Sequence, residues 1–159
     1  MLHTTLIVLH AGAGVVCFAA GVASLGLRTA ASWRFRAYFT LYFGALFALL
    51  VFMAGAIAVD WAGLDATARL IYLGLAALGL YMIWRAAHAG DRLRRRDGDW
   101  RPRYLDDIGF TLISLFDGFV IVAAIDLGAP VWLVVLLGVV GVVGGIQAMN
   151  RVKARLAAR

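Results

Sequence analysis

Long runs of apolar residues, each close to the length of a bilayer crossing, alternate along this chain with short segments rich in arginine. A helix rising 1.5 Å per residue needs roughly 20 apolar residues to cross hydrocarbon. Five runs meet that length, at about 4–27, 37–59, 68–87, 104–125 and 131–149. The pattern predicts an all-α, polytopic membrane helix bundle with five transmembrane helices. It forms a single membrane domain over residues 1–159, and residues 88–103 form a basic loop. The narrowest link, DLGAP, reads as a true hairpin, with Pro130 at the start of the last helix where its missing N–H breaks no intrahelical bond.

Charge then orients the helices. Every basic residue except Arg69 falls in the link after the first run, in the segment between the third and fourth, or after the fifth. Those positions all lie on one side of a five-span arrangement. Cytoplasmic loops carry the excess of lysine and arginine, so the amino terminus is expected outside and the carboxyl terminus in the cytoplasm. Trp33, Trp61, Trp84, Trp100, Trp132 and Tyr104 stand at the ends of the runs, where amphipathic rings suit the headgroup layer.

Composition narrows the class further. The chain is 64% hydrophobic and 15% charged, against roughly 25% charged in soluble domains. A soluble domain of this length would lack polar residues to coat its surface. The first run has no charged n-region and continues through Leu27, which predicts a retained helix rather than a signal peptide. A lone cysteine, Cys17, excludes an intramolecular disulfide. A net charge of +6 and a pI near 10.2 suggest nucleic acid until the charges are placed. They sit at membrane boundaries, and no nucleic-acid module is present.

Small residues mark packing faces. Gly138, Gly141 and Gly145 recur on one side of the fifth run, with Gly144 beside them, and Gly14, Cys17 and Gly21, extended by Ala13 and Ala20, do so on the first. In lipid such residues let backbones approach, and close packing is a main source of helix association. Contact within the chain and contact with a second copy in a homo-oligomer both use such faces. GVVGVVGG follows no strand and is not a nucleotide fingerprint.

Asp117 is the foremost polar position, inside FTLISLFDGFVIVAA. A charged carboxylate at that depth costs several kcal/mol unless it is paired, hydrated or protonated. Thr111, Ser114 and Asp117 recur every three residues and read as a polar strip, with Asp107 below them. His10 is its expected partner, about 9 Å below the start of the first run where Asp117 lies about 12 Å below the outer end of the fourth. The pair suits a proton or ligand site, or equally a static helix lock. His3, two turns before His10, adds a second imidazole, so His3 and His10 are candidate metal or haem ligands with a carboxylate from Asp60, Asp65 or Asp126. No HxxH, HExxH or CxxC grouping accompanies them. His88 is too distant in depth to share an iron with His10. Ser24, Ser32 and Ser114 have no triad setting, and Gln147 and Asn150 are expected to form an interhelical hydrogen bond.

In RLRRRDGDWRPRYLDD, Arg94, Arg95 and Arg96 are expected to contact anionic headgroups. The acidic residues Asp91, Asp97, Asp99, Asp106 and Asp107 should form salt links there, and Gly98 and Pro102 should shape a turn. The segment LHAGAGVVCFAAGVASL and the basic turn after it resemble bacterial multi-span proteins of unknown function whose first helix begins with a His. This chain has WRFRAY where those proteins carry a His–Arg–x–Gly-like element, and the resemblance transfers no fold, cofactor or site.

The sequence leaves three functional classes open. A transporter or oligomeric channel subunit with an Asp/His site is expected first. A structural or accessory membrane protein and a haem- or quinone-binding redox protein are the alternatives. The expected location is a bacterial inner membrane, with lipids and a second copy as partners and no nucleic acid; the residues do not specify a cofactor.

Overall fold

A computed structural model of the chain describes residues 1–26, 33–95, 98 and 100–157. Arg28, Ser32, Arg96, Asp97, Asp99 and Arg159 lie outside the described residues. The described chain is helical with no strand, and its five helices are long and apolar enough to span a membrane. They are α1 (Leu2–Gly26), α2 (Trp33–Asp60), α3 (Ala66–Arg95), α4 (Trp100–Asp126) and α5 (Val131–Ala157), with a short 3₁₀ turn at Trp61–Gly63. The five expected runs are thus five helices.

At their basic ends α2, α3, α4 and α5 extend beyond the apolar runs. α3 continues to Arg95 and α4 begins at Trp100, so most of the segment expected as a loop at 88–103 is helical. Arginine is a strong helix former, and its charge at a helix carboxyl end is favourable against the dipole. Between these helices the described residue is Gly98, whose φ of +54° suits glycine. Pro102 sits in the first turn of α4, where its missing N–H has no intrahelical acceptor to lose.

Two compact units make up the chain, residues 1–87 and 88–159. In the first, α1 packs against α2. Gly14, Cys17, Ala20, Gly21 and Ser24 are buried, a face repeating at three and four residues as helical periodicity requires. From α2, Tyr42, Ala45, Leu46, Leu49 and Ala56 are buried. Leu6 supplies methyls 3.5 Å from where a Cβ on Gly55 would lie. The Leu50 side chain covers Gly79 of α3 closely enough that any Cβ there would collide with it.

The turn between α2 and α3 accounts for Arg69, the one basic residue outside the arginine-rich segments. Its guanidinium donates to the Trp61 carbonyl at 3.2 Å and stands 5.3 Å from the Trp61 ring centre. That carbonyl follows the end of α2, so the cation caps a helix carboxyl end as well as facing an aromatic π-system.

In the second unit α4 packs against α5 through a hairpin. The Ala129 N–H bonds the Ala124 carbonyl at 2.9 Å while Gly128 adopts φ +74°, which is a Schellman ending for α4. The Pro130 carbonyl then receives the N–H groups of Leu133 and Val134, opening α5. Reversal of direction within these residues follows from that pair of caps.

Candidate functional site: an intramembrane carboxylate and its polar neighbours

α4 carries its polar residues in more than one direction. A step of three residues turns a helix about 300°, which falls about 60° short of a full revolution. From Thr111 to Asp117 the side-chain direction therefore drifts by about 120°, and the expected strip divides. Thr111 is buried and donates its hydroxyl back to the Asp107 carbonyl at 3.4 Å. Asp107 is itself buried, and its Oδ2 lies 2.8 Å from Arg92 Nη1 of α3. Ser114 is half-buried.

Asp117 turns instead toward α5. It lies about 14 Å from the carboxyl end of α4 by helical rise, and its carboxylate is seated over Gly138 and Gly141. A Cβ at Gly141 would approach Asp117 Oδ1 to 2.6 Å, and one at Gly138 would lie 3.7 Å from Oδ2. Asp117 Oδ1 is buried and has no hydrogen-bond partner among the described residues. The glycine face continues down the helix: Gly145 lies under Ile113, and from the other side Gly109 of α4 lies under Met149. Gly144, expected to widen this face, instead points to open space. Each three-residue step from Gly138 to Gly141 to Gly144 falls about 60° short of a full turn, so Gly144 stands about 120° from Gly138 and about 100° from Gly145, off the face.

His10 is positioned by α1 on the same helical face as Gly14, Cys17, Gly21 and Ser24. Its Nδ1 lies 2.9 Å from the carbonyl oxygen of Leu49 in α2, a second use of an acceptor with two lone pairs. His3, seven residues earlier, places Nε2 3.2 Å from Asp60 Oδ2 at the far end of the same helix pair. Each imidazole thus bridges α1 to α2 at a different level. The partnership expected between His10 and Asp117 has its two members in different units, each with neighbours of its own. Among the described residues, no group of three or more histidine, cysteine or acidic side chains is disposed to hold a metal ion.

The polar residues near the start of α4 and the end of α5 also differ from their expected roles. Asp106 pairs with Lys153 of α5, so Asp106 and Asp107 tie helices together rather than making links inside a loop. Gln147 and Asn150, expected to bond across helices, are exposed, and Lys153 makes a polar contact between α4 and α5. Tyr104, expected at the headgroup layer, is 2% exposed with its ring 6.2 Å from that of Trp100. It lies on the same face as Ile108 and Thr111, one and two turns along, and shares their burial. Trp33, Trp84 and Trp132 are exposed, as rings serving as interfacial anchors must be.

A cleft that the linear charge pattern does not mark opens where α3 ends and α4 begins. About 380 Å³ in volume, it is lined by His88, Asp91, Arg92 and Arg95 from α3 and by Trp100 and Arg103 from α4. Its signal in the sequence is the three- and four-residue spacing of His88, Asp91, Arg92 and Arg95 on one helix face, obscured by the continuous charge around it.

The fold and these sites define a helical integral membrane protein with a carboxylate held inside its span. Comparison of the chain with protein-family models, with curated proteins and with solved structures found no match.

Proposed function

We propose that the protein is a transport subunit of a cytoplasmic membrane, with Asp117 carrying a proton or a small cation. The observation that supports this most is the buried, unbonded Asp117 Oδ1 facing Gly138 and Gly141. A carboxyl group serving only to join helices gains most when both oxygens are bonded. Glycine offers no side-chain donor, so this wall accommodates the carboxyl group by shape and leaves it able to exchange its ion. Intramembrane acids of this kind mark proton and ion paths.

The reading places the basic ends in the cytoplasm and the amino terminus outside. The apolar surfaces of α3 and α5, including Leu70, Leu73, Val135 and Val139, are exposed. Lipid covers them, or a second copy does so in a homo-oligomer that completes the path.

Flux into proteoliposomes tests the proposal. With a pH-sensitive dye inside and an imposed proton or cation gradient, the unsubstituted protein should dissipate the gradient and Asp117→Asn should reduce the rate at least tenfold. Equal rates for folded Asp117→Asn would remove Asp117 from the path. Absence of flux in both proteins would favour an accessory role, with the carboxyl group acting in helix packing.

A second reading rests on His10. An imidazole whose Nδ1 is fixed on a backbone carbonyl has its other nitrogen oriented for a ligand, an arrangement common among metal-ligating histidines. A haem-binding membrane redox protein would then show an absorbance band between 400 and 430 nm, as expected roughly of an iron porphyrin ligated by histidine. The band should shift on reduction and disappear in His10→Ala.

A further inference from the structure

The cleft at the junction of α3 and α4 brings three arginines around a space of about 380 Å³, within the roughly 300–1,000 Å³ typical of small-molecule sites. Helical spacing puts His88, Arg92 and Arg95 on one wall, while Arg103 and Trp100 close the other. Arg92 is anchored, with Nη1 2.8 Å from the buried Asp107 carboxylate, so one guanidinium stands at a fixed position. Among the described residues Arg95 and Arg103 belong to no such ion pair, and they bring two further guanidinium forks to the same space. Arginine forks suit the paired oxygens of phosphate.

Asp91 gives the lining a second chemical feature. Beside a bound phosphate it would repel a bare dianion, but it accepts a hydrogen bond from a hydroxyl or ammonium group carried on the same ligand. Trp100 adds an apolar ring with an indole N–H, suited to the boundary between headgroup and hydrocarbon. We infer that this cleft is a binding site for a phosphodiester that carries a hydroxyl or amine, recognised by Arg92, Arg95 and Arg103 with Asp91 as acceptor. A phospholipid headgroup and a soluble phosphodiester share that chemistry, and the membrane-boundary position favours the lipid. The inference is independent of any role for Asp117.

Isothermal titration of the full chain in a neutral detergent tests it with three probes. These are dioctanoyl phosphatidylglycerol, glycerophosphoglycerol as its water-soluble headgroup, and dioctanoyl phosphatidylcholine, which offers neither hydroxyl nor N–H. Phosphatidylglycerol should bind at one saturable site per chain, at least tenfold more tightly than phosphatidylcholine. Arg95→Gln with Arg103→Gln should weaken it at least tenfold, while Arg151→Gln with Arg155→Gln, which removes the same charge outside the cleft, should leave it within twofold. Arg95→Lys with Arg103→Lys retains charge and removes the forks; it should weaken binding several-fold and decides the matter if the glutamine variant fails to fold. Comparable binding of the soluble headgroup would assign the site to soluble phosphodiesters, and binding of the lipid alone would assign it to the leaflet; both uphold the site. Equal loss in the two glutamine variants, undiminished binding in the lysine variant, or no saturable binding of either phosphodiester would overturn it.

Discussion

At the scale of single residues, the position of Asp117 depends on glycines across the helix interface. A Cβ added at Gly141 would press within 2.6 Å of Asp117 Oδ1, whereas Gly144 faces open space. Gly141→Ala should therefore cost about 1–3 kcal/mol by overpacking, and Gly144→Ala should leave stability nearly unchanged. Thermal unfolding in detergent measures both, and adding Asp117→Ala should relieve most of the Gly141→Ala cost. An undiminished cost in the double variant would show that the carboxyl group is not what Gly141 accommodates. His10 offers a smaller effect: His10→Phe removes the contact to Leu49 and should destabilise by about 0.6 kcal/mol, the average of hydrogen bonds measured inside membranes.

At the scale of elements, the helix ends are held by two ion pairs that differ in burial. Arg92 pairs with an Asp107 side chain that is 7% exposed, while Lys153 pairs with Asp106 at 48%. Arg92→Gln removes a charged hydrogen-bond donor from a buried carboxylate and should cost about 1.5–3 kcal/mol. Lys153→Gln should cost less than about 1 kcal/mol because water screens its partner. Urea or heat titration of the two variants separates these expectations. The α4–α5 turn makes a further prediction, because Gly128 at φ +74° ends α4 in a conformation that β-carbons disfavour. Gly128→Ala should destabilise this hairpin by about 1–2 kcal/mol, detectable as faster amide exchange at the end of α4 and the start of α5.

At the scale of the whole molecule, five crossings and the distribution of basic residues specify a topology that labelling can test. In a Cys17→Ser background, a cysteine at Leu127 should react with an impermeant maleimide added to intact cells. A cysteine at Arg94 should react only after the membrane is opened. The reverse pattern would invert the orientation, and labelling of both sites in intact cells would reject the five-span topology. Within the second unit the cleft lies where α4 begins and Asp117 lies nearer the carboxyl end of α4, so the two proposed activities belong to different levels of that helix.

The number of helices, their approximate limits and the sided distribution of charge were legible in the sequence because bilayer thickness imposes a length on each apolar run. The glycine faces were legible for a similar reason: Gly14 and Gly21 repeat at intervals set by the helix, and so do Gly138, Gly141 and Gly145. Partners were not legible. Whether Asp107 meets Arg92, whether His10 meets a carbonyl rather than a carboxylate, and which way Asp117 turns all depend on rotation about each helix axis. Hydropathy fixes that rotation weakly when a helix is apolar on every side, as the exposed valines of α5 and the leucines of α3 are. Only tertiary packing, through close approaches such as Gly141 beneath Asp117, selects one angle and so decides which polar groups share a site.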